Sequence, residues 1–549
     1  MEKIQSHFYG YSVSIEGILT DNYYKQKGKY EVPSPQGVFV SIIKVGNELR
    51  FHQDFHGNFG LYIYENKQKD YFALSNSFLL LEEYLIGKQY ISFNKDFTDN
   101  FIAEGLCSPS IFETMIKEIT RITPDIVLII NIKKKSFKHI FVNYGENTVP
   151  FESKEGLEII DKWVDKWGYI IRSLLKKTNN VSSDLTGGFD TRTILSIFLS
   201  SGIDMNKLLI NSITDKKHCH QEDFKIASNI AFKYGFKLNN YNLDNNGIEW
   251  GLKNTLFCSI YSKLGFHKEF YFRTKFFEKP RFQFHGGGEI RGYPGIPIRK
   301  YIEEISTQGK FLGKNFYYSS QRLCIRSVNF LKKDNKYYND YEISSAFYSK
   351  GRCVNHDGKT ALEGFIANTY YLQPLIDPDI KKIKFNVNSN STHDLIAYIF
   401  IRFAKDLIKF EFQGNRKLNL ESIKKAKILN KSFMPYKIKY DYNRNFYIDV
   451  NRKSPVHKSE DKKNADLFLS ELFDSSQFIH TLNKLYNNQI YYWAYKYSKN
   501  SNYFPLRHFY GLLSVAITID LLCLNELYIN NFNIKKEFQE KKRIINFFI

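Results

Sequence analysis

The sequence predicts a protein of mixed class, α+β in its first part and α/β after it. Residues 1 to about 150 contain short β-branched and aromatic runs broken by Gly-Asn and Asn-Lys turns, which is typical of antiparallel strands. From about residue 155 helical spacings alternate with short buried strands, which favours a parallel sheet with helical crossovers. Beyond about residue 300 the pattern is mainly helical. We therefore predict two domains, 1–150 and 151–549, because 549 residues are too many for one core.

Three stretches of the first domain carry the signal of a β-hairpin. They are GVFVSIIKVGNELRFHQ (37–53), GNFGLYIYENKQKDYFALSN (57–76) and DIVLIINIKKKSFKHIFV (125–142). A helix is expected near 98–118. The first domain is thus predicted to consist of packed antiparallel sheets with a few helices.

The second domain is predicted to follow a cluster of Asn, Gly, Pro and Glu at 143–156. A long amphipathic helix comes first, and strands then alternate with helices. The helices are GLEIIDKWVDKWGYIIRSLLKK, TRTILSIFLSSG and QEDFKIASNIAFKYG, and the strands are VSSD, KLLINSIT and FKLNNYNL. Ligands of such sheets bind at the carboxyl ends of the strands, where the loop after VSSD is placed.

That loop, LTGGFDTR (185–192), has the composition of an anion site. Glycine allows close approach to the backbone, and the N-terminus of the following helix offers N–H groups and a positive dipole. The alternative is an ordinary β–α turn with a helix cap, since Gly-Gly pairs are common.

Composition excludes several classes of function. The net charge of +21 comes from scattered lysines, with no Arg-rich arm, so nucleic acid is not expected as a partner. The six cysteines contain no C-x-x-C pair and the start lacks an apolar signal core, which indicates reduced thiols in a cytoplasmic protein. The apolar run at 509–524 is short for a bilayer and contains Asp520, so we expect a buried helix and no membrane span.

Several segments, in order, resemble those of asparagine-synthetase-like enzymes. DLTGGFDTR (184–192) is similar to the S-G-G-x-D-S pyrophosphate loop, with threonines replacing both serines. FHGGGEIRGYP, YLQPLIDPDIKKI and IRFAKDLIKFEFQGNRKLN resemble three later segments of the family. In the first domain, FHGNFGLYIYENKQKDYFALSNSF and EITRITPDIVLIINI are similar to segments of the class II glutamine amidotransferase domain.

The resemblance implies a fold and an activity. The first domain would be an Ntn-hydrolase-like antiparallel β sandwich with helices. The second would be a PP-loop domain (adenine nucleotide α-hydrolase-like) with a helical extension from about 300. The activity implied is that of an ATP-dependent, amide-forming ligase that works through an acyl-adenylate, with ATP and Mg²⁺ as cofactors.

The chain departs from the family at two places. No cysteine precedes Cys107, so the nucleophile of the glutaminase reaction is missing and the first domain is expected to be a relic or an interface. Gly288 stands where the family has an acid that helps to hold magnesium. The magnesium site would then need another carboxylate, or would be weakened.

The resemblance also assigns site residues. It places pyrophosphate against the glycine loop and Mg²⁺ at Asp190. Arg192 would pair with phosphate or with a substrate carboxylate, or would be a surface charge on the helix. Glu289 would be the base that acts on the amine, unless it only pairs with Arg291 or Arg299. Lys417, or Arg416 beside it, would stabilise charge at the α-phosphate, and Asp377 is expected to cap a turn. The nucleotide-binding residues implied are Thr186, Gly187, Gly188, Asp190, Thr191, Arg192, Gly286 and Gly287.

The substrate stays open at this stage. A small-molecule carboxylate and an amine or ammonia donor are expected, and a homodimer is compatible with the family. The L-T-G-G-x-D-[ST]-R form of the loop resembles a branch associated with surface polysaccharide, in which a sugar acid becomes an amide. The alternatives are asparagine synthesis proper, lasso-type peptide macrolactam closure, an RNA-modifying ATP pyrophosphatase and a catalytically dead scaffold.

Overall fold

The structure is a computed structural model that describes residues 5–104, 108–142, 144, 148–213, 218–241, 279–286, 295–333, 339–384, 391–433, 445–452 and 515. Both parallel and antiparallel sheets are present together with many helices, so the prediction of a mixed α/β and α+β class is confirmed.

The first 150 residues form two antiparallel sheets with three helices among the described residues. One sheet has six strands in the order β2-β1-β3-β4-β8-β9, and the other has three in the order β6-β5-β7. The three predicted hairpins are confirmed as β3–β4, β5–β6 and β8–β9. The elements are β1 His7–Ser14, β2 Gly17–Leu19, α1 Asp21–Lys27, β3 Gly37–Val45, β4 Glu48–Gln53, β5 Tyr62–Glu65, β6 Phe72–Ser75, α2 Phe78–Leu85, α3 Lys95–Glu104, β7 Ile119–Arg121, β8 Ile126–Asn131 and β9 Ser136–Phe141.

The helix predicted near 98–118 is wrong in its extent. Helix α3 covers Lys95–Glu104, and residues 108–118 form turns and isolated bridges. Pro109 disfavours helical backbone at the residue before it and cannot donate an N–H group, so a helix cannot run smoothly through this position.

The second part contains a five-stranded parallel sheet, as the sequence predicts, and a mainly helical region after residue 297. The strand order is β13-β12-β11-β14-β15, and a short parallel pair joins β10 to β16. The elements are β10 Val149–Pro150, α4 Lys154–Lys177, β11 Val181–Asp184, α5 Phe189–Ser200, β12 Leu209–Ile213, α6 His218–Tyr234, β13 Leu238–Tyr241, β14 Arg281–Phe284, α7 Ile298–Gln308, α8 Lys314–Lys332, α9 Asp340–Phe347, α10 Val354–Ile366, β15 Thr369–Leu372, α11 Pro378–Lys381, β16 Ile383–Lys384, α12 Ser391–Phe403 and α13 Leu420–Ser432.

Helix α4 forms because its sequence supplies an N-cap, basic residues in the last turn and an apolar stripe along one face. Ser153 accepts a hydrogen bond from the N–H group of Gly156, and Lys176 and Lys177 lie in the last turn, where the helix dipole favours cations. The buried stripe includes Trp163 and Trp167 at i, i+4 spacing. The helix packs against α5, and its Trp167 ring lies 6.1 Å from the ring of Phe284 on β14.

The two parts of the chain share one continuous core. Strand β1 meets β15 through the rings of Tyr11 and Tyr370, whose centroids are 4.9 Å apart, and the Tyr11 hydroxyl donates to the carbonyl of Tyr371 at 2.7 Å. Helices α3 and α8 also pack together, with a buried hydrogen bond of 2.8 Å from Ser319 to Asp99. The first part is therefore integrated with the second.

The segment 445–452 extends the first sheet at its β2 edge. The backbone carbonyl of Tyr447 accepts from the Ile18 N–H group at 2.9 Å, and the Tyr447 N–H group donates to the backbone carbonyl of Glu16 at 2.8 Å. Gly17 lies between these two bonds with φ +144°, and a Cβ there would come within 2.2 Å of the Tyr447 carbonyl oxygen. Only glycine allows this close approach.

Among the described residues, no helix combines the length and the apolar character needed to cross a membrane. Of the apolar run at 509–524, the structure describes only Val515, which is helical and buried.

Candidate functional site

The glycine loop lies where the strand order of the parallel sheet changes direction. After β11 the chain adds β12 and β13 on one side, whereas β14 and β15 lie on the other. The loops that follow β11 and β14 therefore meet at the carboxyl ends of adjacent parallel strands. A Cβ on Gly286 would lie 2.8 Å from the Thr191 side chain, which shows how closely these loops approach. Crevices at such switch points are the usual ligand sites of open α/β sheets.

Two threonine hydroxyls fix the shape of the loop. The Thr191 hydroxyl accepts from the N–H group of Thr186 at 3.1 Å, and the two hydroxyl oxygens are 3.1 Å apart. The Thr186 hydroxyl also accepts from the N–H group of Gly188 at 3.1 Å. Gly188 is the N-cap of α5, with ordinary extended dihedrals. The two threonines thus lie side by side, and their hydrogen bonds hold the turn that opens the helix.

Gly187 is enclosed by the protein on both sides of its peptide. Its N–H group donates to a carboxylate oxygen of Asp223 on α6 at 2.6 Å, and its carbonyl accepts from the N–H group of Gln413 at 3.0 Å. A Cβ at this position would meet Asp223 at 2.8 Å and Ile226 at 2.9 Å. Burial raises the pKa of Asp223, which the hydrogen bond from Gly187 lowers in part. An internal carboxylate therefore occupies one of the N–H groups that the sequence assigns to phosphate.

Arg192 is not the surface charge that one alternative allowed, because it is fully buried. Its guanidinium donates to the carbonyls of Phe410 at 3.1 Å, Glu411 and Gly187 at 3.4 Å. It also lies 3.9 Å from the centre of the Phe412 ring. Burial lowers the pKa of Arg192 to about 9. Its hydrogen-bond partners in the described part of the chain are all backbone carbonyls.

The segment 410–417, which carries Lys417, packs against the glycine loop. The N–H group of Gly414 donates to Glu222 at 2.8 Å, next to Asp223 on α6. Gly414 has φ +69°, which glycine adopts without strain. Arg416 and Lys417 are both exposed, and the Arg416 guanidinium lies 5.7 Å from the Phe189 ring centre at the start of α5. The structure therefore brings the lysine segment and the glycine loop together, with the Arg416 and Lys417 residues exposed.

Carboxylates also lie at this edge of the sheet. Asp190 is half-buried in the first turn of α5, and Asp184, at the end of β11, accepts from the Gln283 side-chain amide at 3.0 Å. Within the described ranges, no group of three or more His, Cys, Asp or Glu side chains is arranged to hold a metal ion. Gly287, Gly288 and Glu289 lie outside the described residues.

Asp377 has the capping role that the sequence predicts. It accepts from the N–H group of Asp379 at 2.9 Å and begins α11. It is fully buried, and it also binds the Trp167 indole at 2.8 Å and the Lys166 ammonium at 2.6 Å.

Sequence reasoning missed Glu222, Asp223 and Asp184. The acids of QED lie on a predicted helix, and nothing local shows that Gly187 and Gly414 would reach them. Asp184 carries a weak signal, because a carboxylate at the carboxyl end of a central parallel strand faces the ligand edge.

Comparison with known proteins adds no family name to this geometry: neither a scan against protein-family models nor a search of curated proteins finds a match to the chain.

Proposed function

We propose that the chain is an ATP-dependent amide-forming ligase of the asparagine-synthetase type, with an Ntn-hydrolase-like first domain and a PP-loop second domain. The proposal is carried by one observation, the glycine loop at the switch point with the Gly286 loop against it. The resemblance of four segments of the second domain in the family's order adds the choice of reaction.

The reaction proposed has two steps. A carboxylate oxygen of the substrate attacks the α-phosphorus of ATP, and pyrophosphate leaves. The amine nitrogen then attacks the acyl carbon, loses a proton, and AMP leaves. The protein has to hold the polyphosphate, offset its charge and align the carboxylate.

The described residues support this chemistry from two sides. The N-terminus of α5 presents N–H groups and a positive dipole toward the phosphate side. Lys417 is exposed on a segment held against the loop, so its ammonium is available to an α-phosphate. Glu289 is proposed as the base that takes the proton of the amine.

The carboxylates at the sheet edge suit magnesium. Asp190 and Asp184 offer the hard oxygen donors that Mg²⁺ requires, and both are half-buried beside the loop. Magnesium, when bound, would offset the negative charge of the phosphates. We assign Asp190 as the main protein ligand.

Exchange of radiolabelled pyrophosphate into ATP tests the proposal. We expect exchange that depends on a carboxylate substrate, and its loss in Asp190→Ala with the fold intact, because metal charge is lost and not packing. Glu303→Gln is the matched control, since Glu303 is an exposed carboxylate on α7. Normal pyrophosphate exchange in Asp190→Ala would show that the assigned site is wrong.

Mass spectrometry with a panel of acids identifies the substrate. Nucleotide-linked uronic acids, free aspartate and peptides are incubated with ATP and an amine source. A loss of one mass unit on a uronate, as –OH becomes –NH₂, would support amidation of a sugar acid. Turnover of aspartate alone would indicate asparagine synthesis, and no ATP binding at all would indicate a scaffold.

A further inference from the structure

Arg192 is a buried cation in an unusual setting. It has no exposed surface, and its donors are directed at two successive carbonyls of one segment and one carbonyl of the glycine loop. Burial lowers the pKa of its guanidinium to about 9, so the charge is costly where it lies. A buried cation whose two terminal nitrogens donate to three backbone carbonyls is expected to define a geometry.

The contacts of Arg192 converge on the joint between two loops. The carbonyl of Gly187 accepts both from Arg192 and from the backbone N–H group of Gln413 at 3.0 Å. Phe412, between these contacts, lies under the guanidinium with its ring centre 3.9 Å away, and its ring is 4.2 Å from that of Phe189. Lys417 follows on the same segment. Any shift of Arg192 would therefore move the lysine segment relative to the glycine loop.

We infer that Arg192 is a positioning residue, which sets the distance between the phosphate-binding loop and Lys417 without itself touching the nucleotide. This inference rests on the proposed function. The alternative is a direct phosphate contact, which the same position in the sequence also suggests. A phosphate contact would require Arg192 to give up carbonyls that it already holds.

This positioning role requires the planar guanidinium group of arginine. Guanidinium donors can reach the adjacent carbonyls of Phe410 and Glu411 while the flat face stacks on Phe412, and an ammonium cannot do both. Arg192→Lys is therefore expected to behave like Arg192→Met, although it keeps the charge.

Kinetics separate positioning from binding. In Arg192→Met we expect ATP to bind with a Kd within about twofold of the wild type, while kcat for pyrophosphate exchange falls about 100-fold, because a misplacement of about 1 Å has that effect. Free guanidinium at low concentration should restore part of the activity of Arg192→Ala. Weaker, salt-sensitive ATP binding with an unchanged kcat would overturn the inference and show a direct contact.

Arg402 provides the matched control. Its side chain is only 7% exposed and pairs through two donors with Asp161, at 2.5 and 2.6 Å. Its guanidinium lies 5.0 Å from the Phe433 ring centre. Arg402→Met should lower the melting temperature and leave kcat and the Kd for ATP unchanged. Equal kinetic profiles for the two variants would show that Arg192 is only structural.

Hydrogen exchange distinguishes a failure of this inference from a failure of the proposed function. Peptides covering 405–417 should exchange faster in Arg192→Met than in the wild type, and no faster in Arg402→Met. If the wild-type chain shows no pyrophosphate exchange, the proposed function fails while this structural part can still hold. Unchanged protection of 405–417 in Arg192→Met would refute the positioning role itself.

Discussion

Two neighbouring glycines occupy the loop for different physical reasons. Gly187 is surrounded by Asp223, Ile226 and Gln413, which would all lie within 3.1 Å of an added Cβ. Gly188 has ordinary dihedrals, and an added Cβ would meet only the Thr186 hydroxyl, at 3.2 Å. Gly187 is therefore required by packing, whereas the space beside the Gly188 Cα is largely open.

Replacing each glycine by alanine should distinguish the packing requirement at Gly187 from the open position at Gly188. Gly187→Ala is expected to lower the free energy of unfolding by about 2 kcal/mol through overpacking. Gly188→Ala should cost less than about 1 kcal/mol, the difference between glycine and alanine at an N-cap. Urea denaturation of both variants gives the comparison. Equal losses of stability would contradict the account of the packing around Gly187.

Asp223 competes with any anion for the N–H group of Gly187. Asp223→Asn keeps an acceptor and removes the charge, so we expect pyrophosphate to bind about 3- to 10-fold more tightly. Because burial raises the pKa of Asp223, lowering the pH should protonate it and give the wild type part of this gain. Calorimetric titration at several pH values measures both effects.

The control for this prediction is Glu222→Gln. In the wild type, the Glu222 carboxylate accepts from the Gly414 N–H group and not from the glycine loop. Its affinity for pyrophosphate should stay near that of the wild type. Weaker binding in Asp223→Asn would mean that Asp223 assists the ligand.

At the residue scale, the sequence predicts the loop and misses its partners. The pair Gly187-Gly188 before an apolar helix is a local pattern and can be read from ten residues. Arg192 and Asp223 are different, because their contacts join positions 218 and 36 residues apart, and no local pattern encodes such contacts. Glu289 and Gly287 stay predictions.

At the scale of an element, helix α2 contains a buried acid. Glu82 has no exposed surface, and neither of its carboxyl oxygens has a hydrogen-bond partner among the residues described. Burial raises the pKa of Glu82 well above its ordinary value. The folded protein therefore holds this group protonated at pH values where the unfolded chain ionises it.

The stability of the protein should consequently fall as the pH rises above the unfolded pKa of Glu82. Up to the folded pKa, the free energy of unfolding is expected to decrease by about 1.4 kcal/mol per pH unit from this group. Below the unfolded pKa the group is protonated in both states and adds no slope. Glu82→Gln should remove this slope in urea denaturation at pH values between the unfolded and the folded pKa of Glu82, and an unchanged slope would contradict the assignment.

The joint between α4 and α11 depends on Asp377. Removing its carboxylate leaves Lys166 without its shorter partner and Trp167 without an acceptor. Asp377→Ala should therefore lower the free energy of unfolding by about 3 kcal/mol. Asp379→Ala is the control, since Asp379 also binds Lys166 but its side chain is 46% exposed, and it should cost less than about 1 kcal/mol.

Elements with a clear period and marked ends are predicted well. The hairpin β3–β4 shows strand alternation around Gly46, which has φ +59°, and α4 shows a cap at Ser153 and a helical stripe. The helix near 98–118 fails because the apolar spacing continues past Pro109, which ends helical geometry whatever the spacing suggests.

For the whole molecule, the continuous core predicts a single unfolding transition. Buried residues of both antiparallel sheets and of the parallel sheet belong to one contact cluster, and polar bonds such as Ser319 to Asp99 join the two parts. We expect hydrogen exchange of peptides from β3–β4 and from β11–α5 to report the same urea midpoint. Two separate midpoints would show that the parts unfold independently.

The sequence could not predict this integration. The boundary near residue 150 rests on a change of sequence pattern, and a change of pattern says nothing about contacts across it. Tyr11 and Tyr371 are 360 positions apart, and each reads locally as an ordinary strand residue.

The bridge between Gly17 and Tyr447 has a consequence for the timing of synthesis. The β2 edge of the first sheet gains its backbone partner only when Tyr447 has been made, roughly 430 residues later. At about 5–20 residues per second, the nascent chain carries that open edge for about 20–90 s. An unpaired edge is a template for pairing with other chains, and β2 limits the hazard because it has only three residues. A ribosome that stalls before Tyr447 would therefore leave β2 without this backbone partner.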